Sequence, residues 1–119
     1  MTSSPAPQSN NTAFFSDAGT QLQREGRILE AEAVYRKRIC EEPRDALTLS
    51  NYGGLLIGIC RFEPALEVLS RAVVLAPQLA DAWCNLGNAL QSLQRYDEAI
   101  AAYSKCLSIS LEHPLAATN

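Results

Sequence analysis

Two asparagines, Asn51 and Asn85, stand 34 residues apart, with Asp17 and Asn119 one further period out on either side. A carboxamide carries a pair of N–H donors and a carbonyl acceptor. A column of them at fixed pitch can therefore hold the N–H and C=O groups of an extended polypeptide, whatever the sequence of that polypeptide. The same column also suits a polar residue tolerated on a solvated helix face, and spacing alone does not choose between the two.

Bond-making chemistry has less to work with. His113 is the sole histidine, with no positioned partner for general-base work and no cysteine at zinc-ligand spacing. Gly-x-Ser-x-Gly, phosphate-cradling glycine loops and His-Glu-x-x-His are all missing. Neither an enzyme nor a metal or other cofactor is expected. Cys40, Cys60, Cys84 and Cys106 form no Cys-x-x-Cys pair and share no repeating spacing. They are expected to be four reduced thiols.

A length of 119 residues leaves room for one modest domain, and 47% apolar residues exclude a mostly disordered chain. The net charge of −3 and the pI near 5.1 argue against nucleic acid, which wants a basic stripe. Residues 1–11 carry neither charge nor an apolar run, so both parts of a secretory signal are missing. They are expected to form a disordered tail on a cytoplasmic protein. The apolar stretch from Tyr52 to Cys60 is far too short for a bilayer, so no membrane partner is expected.

The elements that must position the amides repeat with them. Gly19, Gly53 and Gly87 recur every 34 residues, as do Leu22, Leu56 and Leu90, then Ala31, Ala65 and Ala99, then Tyr35, Leu69 and Tyr103. Pro43 and Pro77 close the first two units. Within the third unit, Ala82, Trp83, Leu86, Ala89, Leu90 and Leu93 recur at three- and four-residue steps, as one helix face requires. A second such face follows the turn at 94–98. Each unit thus reads as two helices joined by a tight turn, and a period of this length means stacked units that bury their apolar faces on one another. Small residues at Gly19/Ala31, Gly53/Ala65 and Gly87/Ala99 would let the paired helices approach closely.

Trp83-x-x-Leu86-Gly87-x-x-Leu90, followed by Ala99 and Tyr103, resembles the tetratricopeptide repeat, which has the same 34-residue length. The resemblance covers residues 12–113, as units 12–45, 46–79 and 80–113. It implies an all-α solenoid of three helix-turn-helix hairpins in a right-handed superhelix. Ala18 and Arg38 depart from the pattern and predict looser packing in the first unit. Leu111 in place of a closing proline predicts a longer last helix. Residues 114–119 read as the start of a fourth unit with no polar capping helix, so the chain is expected to be a piece of a longer array or to be covered by another chain.

In this family the first helices line a concave groove. Carried over position by position, the resemblance puts Asp17, Asn51 and Asn85 there, with Leu47 and Asp81 a turn before and Thr20, Gly54 and Asn88 a turn after. Ser50 and Cys84 would sit beside them, and Ile57 and Gly58 further along. The Asn85-Leu86-Gly87-Asn88 run also resembles the asparagine-lined arrays of O-linked N-acetylglucosamine transferases. The lysine, arginine and asparagine clamp by which some members grip a terminal carboxylate is absent, since only Asn51 of its five positions fits. Gly54 and Gly58 leave the middle of the groove bare. Arg36-Lys37-Arg38 reads as a solvated face, with Glu32 pairing Arg36, and Glu67 with Arg71 reads as a surface pair.

The expected function is a protein-interaction scaffold that binds an extended peptide or a helix of a partner in this groove. The alternatives are a module that self-associates through its open C-terminal end, or the repeat region of a larger enzyme such as a glycosyltransferase.

Overall fold

A computed structural model describes the backbone of residues 11–112 and the side chains of residues 18–112. The expected tail, apart from Asn11, lies outside the described residues, as do His113, Asn119 and the fourth-unit start. So does the side chain of Asp17.

Six helices follow one another: α1 (Asn11–Arg24), α2 (Ile28–Glu41), α3 (Ala46–Gly58), α4 (Phe62–Leu75), α5 (Ala80–Ser92) and α6 (Tyr96–Glu112). No strand occurs among the described residues, and no helix is long and apolar enough to cross a membrane. The helix α6, without a proline to stop it, has 17 residues against 13 or 14 in the others.

The turn inside each hairpin is the same device used three times. Gly26, Cys60 and Gln94, one period apart, have φ of +78°, +63° and +63°. Behind each, the next N–H reaches back to a carbonyl five residues earlier: Arg27 to Leu22, Arg61 to Leu56 and Arg95 to Leu90, at 2.8–2.9 Å. These bonds satisfy the orphan carbonyls of the first helix in a Schellman arrangement. Only Gly26 adopts the left-handed conformation without a Cβ penalty.

The period-matched glycines seat the partner helix. A Cβ at Gly87 would lie 2.7 Å from the Tyr103 ring, and Gly19 and Gly53 are overlaid in the same way by Tyr35 and Leu69. Antiparallel pairing follows, with position 84 against 106 and 87 against 103. Ala31, Ala65 and Ala99 are all buried. One apolar cluster joins the second and third hairpins through Leu49, Leu56, Leu69, Ala72, Leu86 and Leu90. A smaller one joins the first hairpin to α3 through Ala31, Tyr35 and Leu55.

Packing between hairpins is one-sided. The first helices touch in succession, α1 on α3 and α3 on α5, whereas among the described residues the backbones of α2 and α4, and of α4 and α6, stay apart. Closeness along the row of first helices makes that side concave.

Three sequence expectations are corrected. Arg38 is not on a solvated face but 8% exposed. The link carrying Pro43 brings Asp45 within 3.0 Å of its guanidinium, and the same carboxylate caps α3 by accepting from the backbone N–H and the hydroxyl of Thr48. A salt bridge therefore occupies the place where the repeat pattern read from the sequence expected a small residue. Glu67 and Arg71 form no ion pair among the described residues; Arg71 turns instead to the Pro43 carbonyl. Finally, Cys84 and Cys106 are joined as a disulfide with Cα atoms 5.6 Å apart, leaving Cys40 and Cys60 as free thiols.

Candidate functional site

The concave face carries a cavity of about 400 Å³ lined by Thr20, Gln23 and Arg24 of α1, Asn51 and Gly54 of α3, Asn85 of α5, and Tyr35 of α2. All three hairpins contribute, and two pairs of lining residues, Thr20 with Gly54 and Asn51 with Asn85, are one period apart.

The concave face around it is shaped by what the second helix sends over each period glycine. In the first hairpin the buried Tyr35 ring crosses Gly19, and its hydroxyl donates to Gln23 Oε1 at 3.2 Å and lies 3.3 Å from Thr20 Oγ1. Burial pushes the Tyr35 phenol above its ordinary pKa. In the third hairpin the Tyr103 hydroxyl faces the side-chain oxygens of Asn88 and Gln91. The middle hairpin has Leu69 at this position, with no hydroxyl to offer. The positions that Tyr35 and Tyr103 anchor are there Gly54 and Ile57, neither of which needs a polar partner. The result is a bare saddle between two polar walls.

The two asparagines are not equivalent. Asn85 donates an N–H to the Ser50 carbonyl at 3.2 Å, fastening α5 to α3. The Asn51 carboxamide has no hydrogen-bond partner among the described residues and opens onto the cavity. A Cβ at Gly54 would lie 3.5 Å from Asn85 Nδ2, an ordinary contact, so the saddle has room for a methyl group but not for a bulky side chain without filling the cavity.

Of the positions read from sequence, Thr20, Asn51, Gly54 and Asn85 come together around this cavity, as does Gln23, which the helix spacing puts further along the same face. Asn88 is exposed with its side-chain oxygen facing Tyr103, outside the cavity lining. Leu47, Asp81 and Gly58 are exposed but do not line the cavity, and Ile57 packs partly into the core. Two placements are corrected. Ser50 is 1% exposed, with its hydroxyl buried and unpartnered, because one step round the helix from Asn51 points between helices rather than outward. Cys84 points at α6, where it meets Cys106.

Arg24 and Tyr35 were not singled out in the sequence as groove residues. Arg24 follows Thr20 by four residues, hence on the same face. Tyr35 was read only as packing, and its hydroxyl carries the polar role.

Residues 80–111 match the family model for the tetratricopeptide repeat. No curated protein matches the chain in sequence. Among solved structures, the second TPR of Spaghetti (RPAP3), bound to the HSP90 peptide SRMEEVD, is similar with a TM-score of 0.79 at 22% identity, covering 86% of this chain and 95% of that one. The first TPR of the same protein, bound to the same peptide, has a TM-score of 0.79 at 22% identity over 84% and 79%. MamA has a TM-score of 0.75 at 28% identity, covering 84% of this chain, which spans 58% of MamA.

Proposed function

From one matched tetratricopeptide repeat and a hairpin built three times on the same register, we propose that the chain is a protein-interaction scaffold whose concave face takes an extended segment of a partner protein. The observation that carries this reading is the saddle at Gly54, where a foreign backbone can approach α3 closely with the free Asn51 carboxamide beside it. Asn51 would engage both an N–H and a C=O of the segment. Asn85, one N–H already given to Ser50, would contribute mainly its oxygen. Two relatives of the same fold bound to a short peptide support this class of ligand.

The test is a peptide array probed with the chain, followed by titration of the best binder. Asn51→Ala should weaken binding by about 0.5–1.5 kcal/mol, the net worth of a typical hydrogen bond. Gly54→Trp should do more by filling the saddle. Normal binding by both variants removes the concave reading.

One observation favours a second reading. On α6, Ile100, Leu107 and Leu111 are 62%, 63% and 73% exposed, while Leu66 and Val73, one period before the first two, are packed into the core. An apolar stripe of this kind supports self-association through α6. A strict monomer in concentrated sedimentation runs removes it.

A further inference from the structure

On the face opposite the groove, the backbones of α2 and α4 stay apart, and a furrow runs between them. A depression of about 310 Å³ lies in it, and one of about 510 Å³ continues it between the Pro43–Arg44 link and α4, with Arg71 lining both. Leu56 and Val68 line the first; Pro43, Val74 and Leu75 line the second, with Val74 76% exposed.

Among the described residues most cations of this chain have an acidic partner, but the two at the larger depression do not. Arg27, Arg36, Lys37, Arg38, Arg61 and Arg95 each have a carboxylate within 4 Å. Arg44 and Arg71, both at its rim, have none among the described residues, and neither do Arg24 and Lys105; of these four only Arg44 and Arg71 line one depression together. Glu67 sits one helical turn from Arg71 without pairing with it. Arg71 instead points to the Pro43 carbonyl at 3.5 Å, which brings it beside the link that carries Arg44. Two guanidinium groups gathered on one rim repel each other, and both gain from an anion placed between them.

We propose that this furrow is a second docking site, for a segment of a partner protein in which acidic side chains flank a large apolar one. The apolar side chain would enter between Val74, Leu75 and Pro43, and the carboxylates would meet Arg44 and Arg71 in charge-assisted hydrogen bonds. Two cations on a chain of net charge −3 do not make the polybasic cluster that an anionic bilayer attracts. The proposal stands independently of the concave site.

To separate the two sites, the bait for a phage-displayed random decapeptide library is the chain with its saddle filled by Gly54→Trp. Enriched peptides should carry Asp or Glu on both sides of Leu, Ile or Phe. Their affinity, read by fluorescence anisotropy, should fall at least tenfold in Arg44→Glu/Arg71→Glu and in Val74→Asp, with melting temperatures unchanged. Absence of enrichment, enriched peptides lacking acids, or unaltered affinity in the double arginine variant would overturn the proposal. Phosphatidylserine vesicles that co-sediment with the chain only when Arg44 and Arg71 are intact would give the furrow to a membrane and overturn it as well.

Discussion

Opening the Cys84–Cys106 disulfide should weaken the third hairpin by an amount that its position in the fold allows to be worked out. The bond closes a loop with a sequence separation of 22. Chain-entropy loss on that closure is about 11 cal/mol/K, or about 3 kcal/mol at 25 °C. For a domain of this size that corresponds to a fall in melting temperature of about 10 °C or more. The fold also supplies a control for packing. Ser50 and Ala72, both buried, occupy in the second hairpin the two positions that Cys84 and Cys106 hold in the third. Cys84→Ser/Cys106→Ala therefore transplants a pair the scaffold already uses and removes the cross-link with little change in side-chain volume. Calorimetry should show the oxidised protein melting well above both this variant and the reduced wild type, with the latter two close together. Thiol titration of the unfolded, unreduced protein should find two free thiols, from Cys40 and Cys60. Four titratable thiols, or identical melting of the oxidised and reduced forms, would refute the reasoning.

Two further outcomes follow from the hairpin geometry. Gln94→Gly should stabilise the chain by up to about 1 kcal/mol in urea unfolding, because an L-residue in the left-handed region costs about 1–2 kcal/mol and glycine's extra unfolded-state freedom offsets part of it; a loss of stability would contradict the turn assignment. Adjacent glycines should respond oppositely: Gly53→Ala drives a methyl into the Leu69 side chain and should cost about 1–3 kcal/mol, whereas Gly54→Ala meets only an ordinary contact and should gain up to about 1 kcal/mol of helix propensity.

The hairpins were legible because each level of the sequence agrees with the next. Glycines, alanines and leucines recur at one pitch, and the helix steps between them match a buried face. What escaped depends on who faces whom across a hairpin. Nothing in the spacing of Cys84 and Cys106 marks them as partners until the antiparallel pairing of α5 with α6 sets the two positions opposite each other. Arg38 looked solvated because it sits in a run of cations with acids at helical spacing, yet the link after α2 folds Asp45 back onto it. The amide column was visible, but its members were not interchangeable. The Ser50 carbonyl that claims Asn85 is a backbone group, and side-chain patterns do not announce it. Similarly, the saddle rests on Leu69 lacking a hydroxyl, an absence that means something only once Tyr35 and Tyr103 are seen reaching the polar walls.

Among the described residues no helix touches another more than two elements away, the furthest partners being α1 with α3 and α3 with α5. Such a contact map has low contact order, so little loop-closure entropy must be lost before native contacts form, and folding should be fast. It also allows order during synthesis. The cluster of Ala31, Tyr35 and Leu55 is complete once α3 has emerged, while α5 and α6 are still unmade. The first three helices can therefore consolidate as a growing front onto which each later hairpin condenses, with the cross-link in the third hairpin added last.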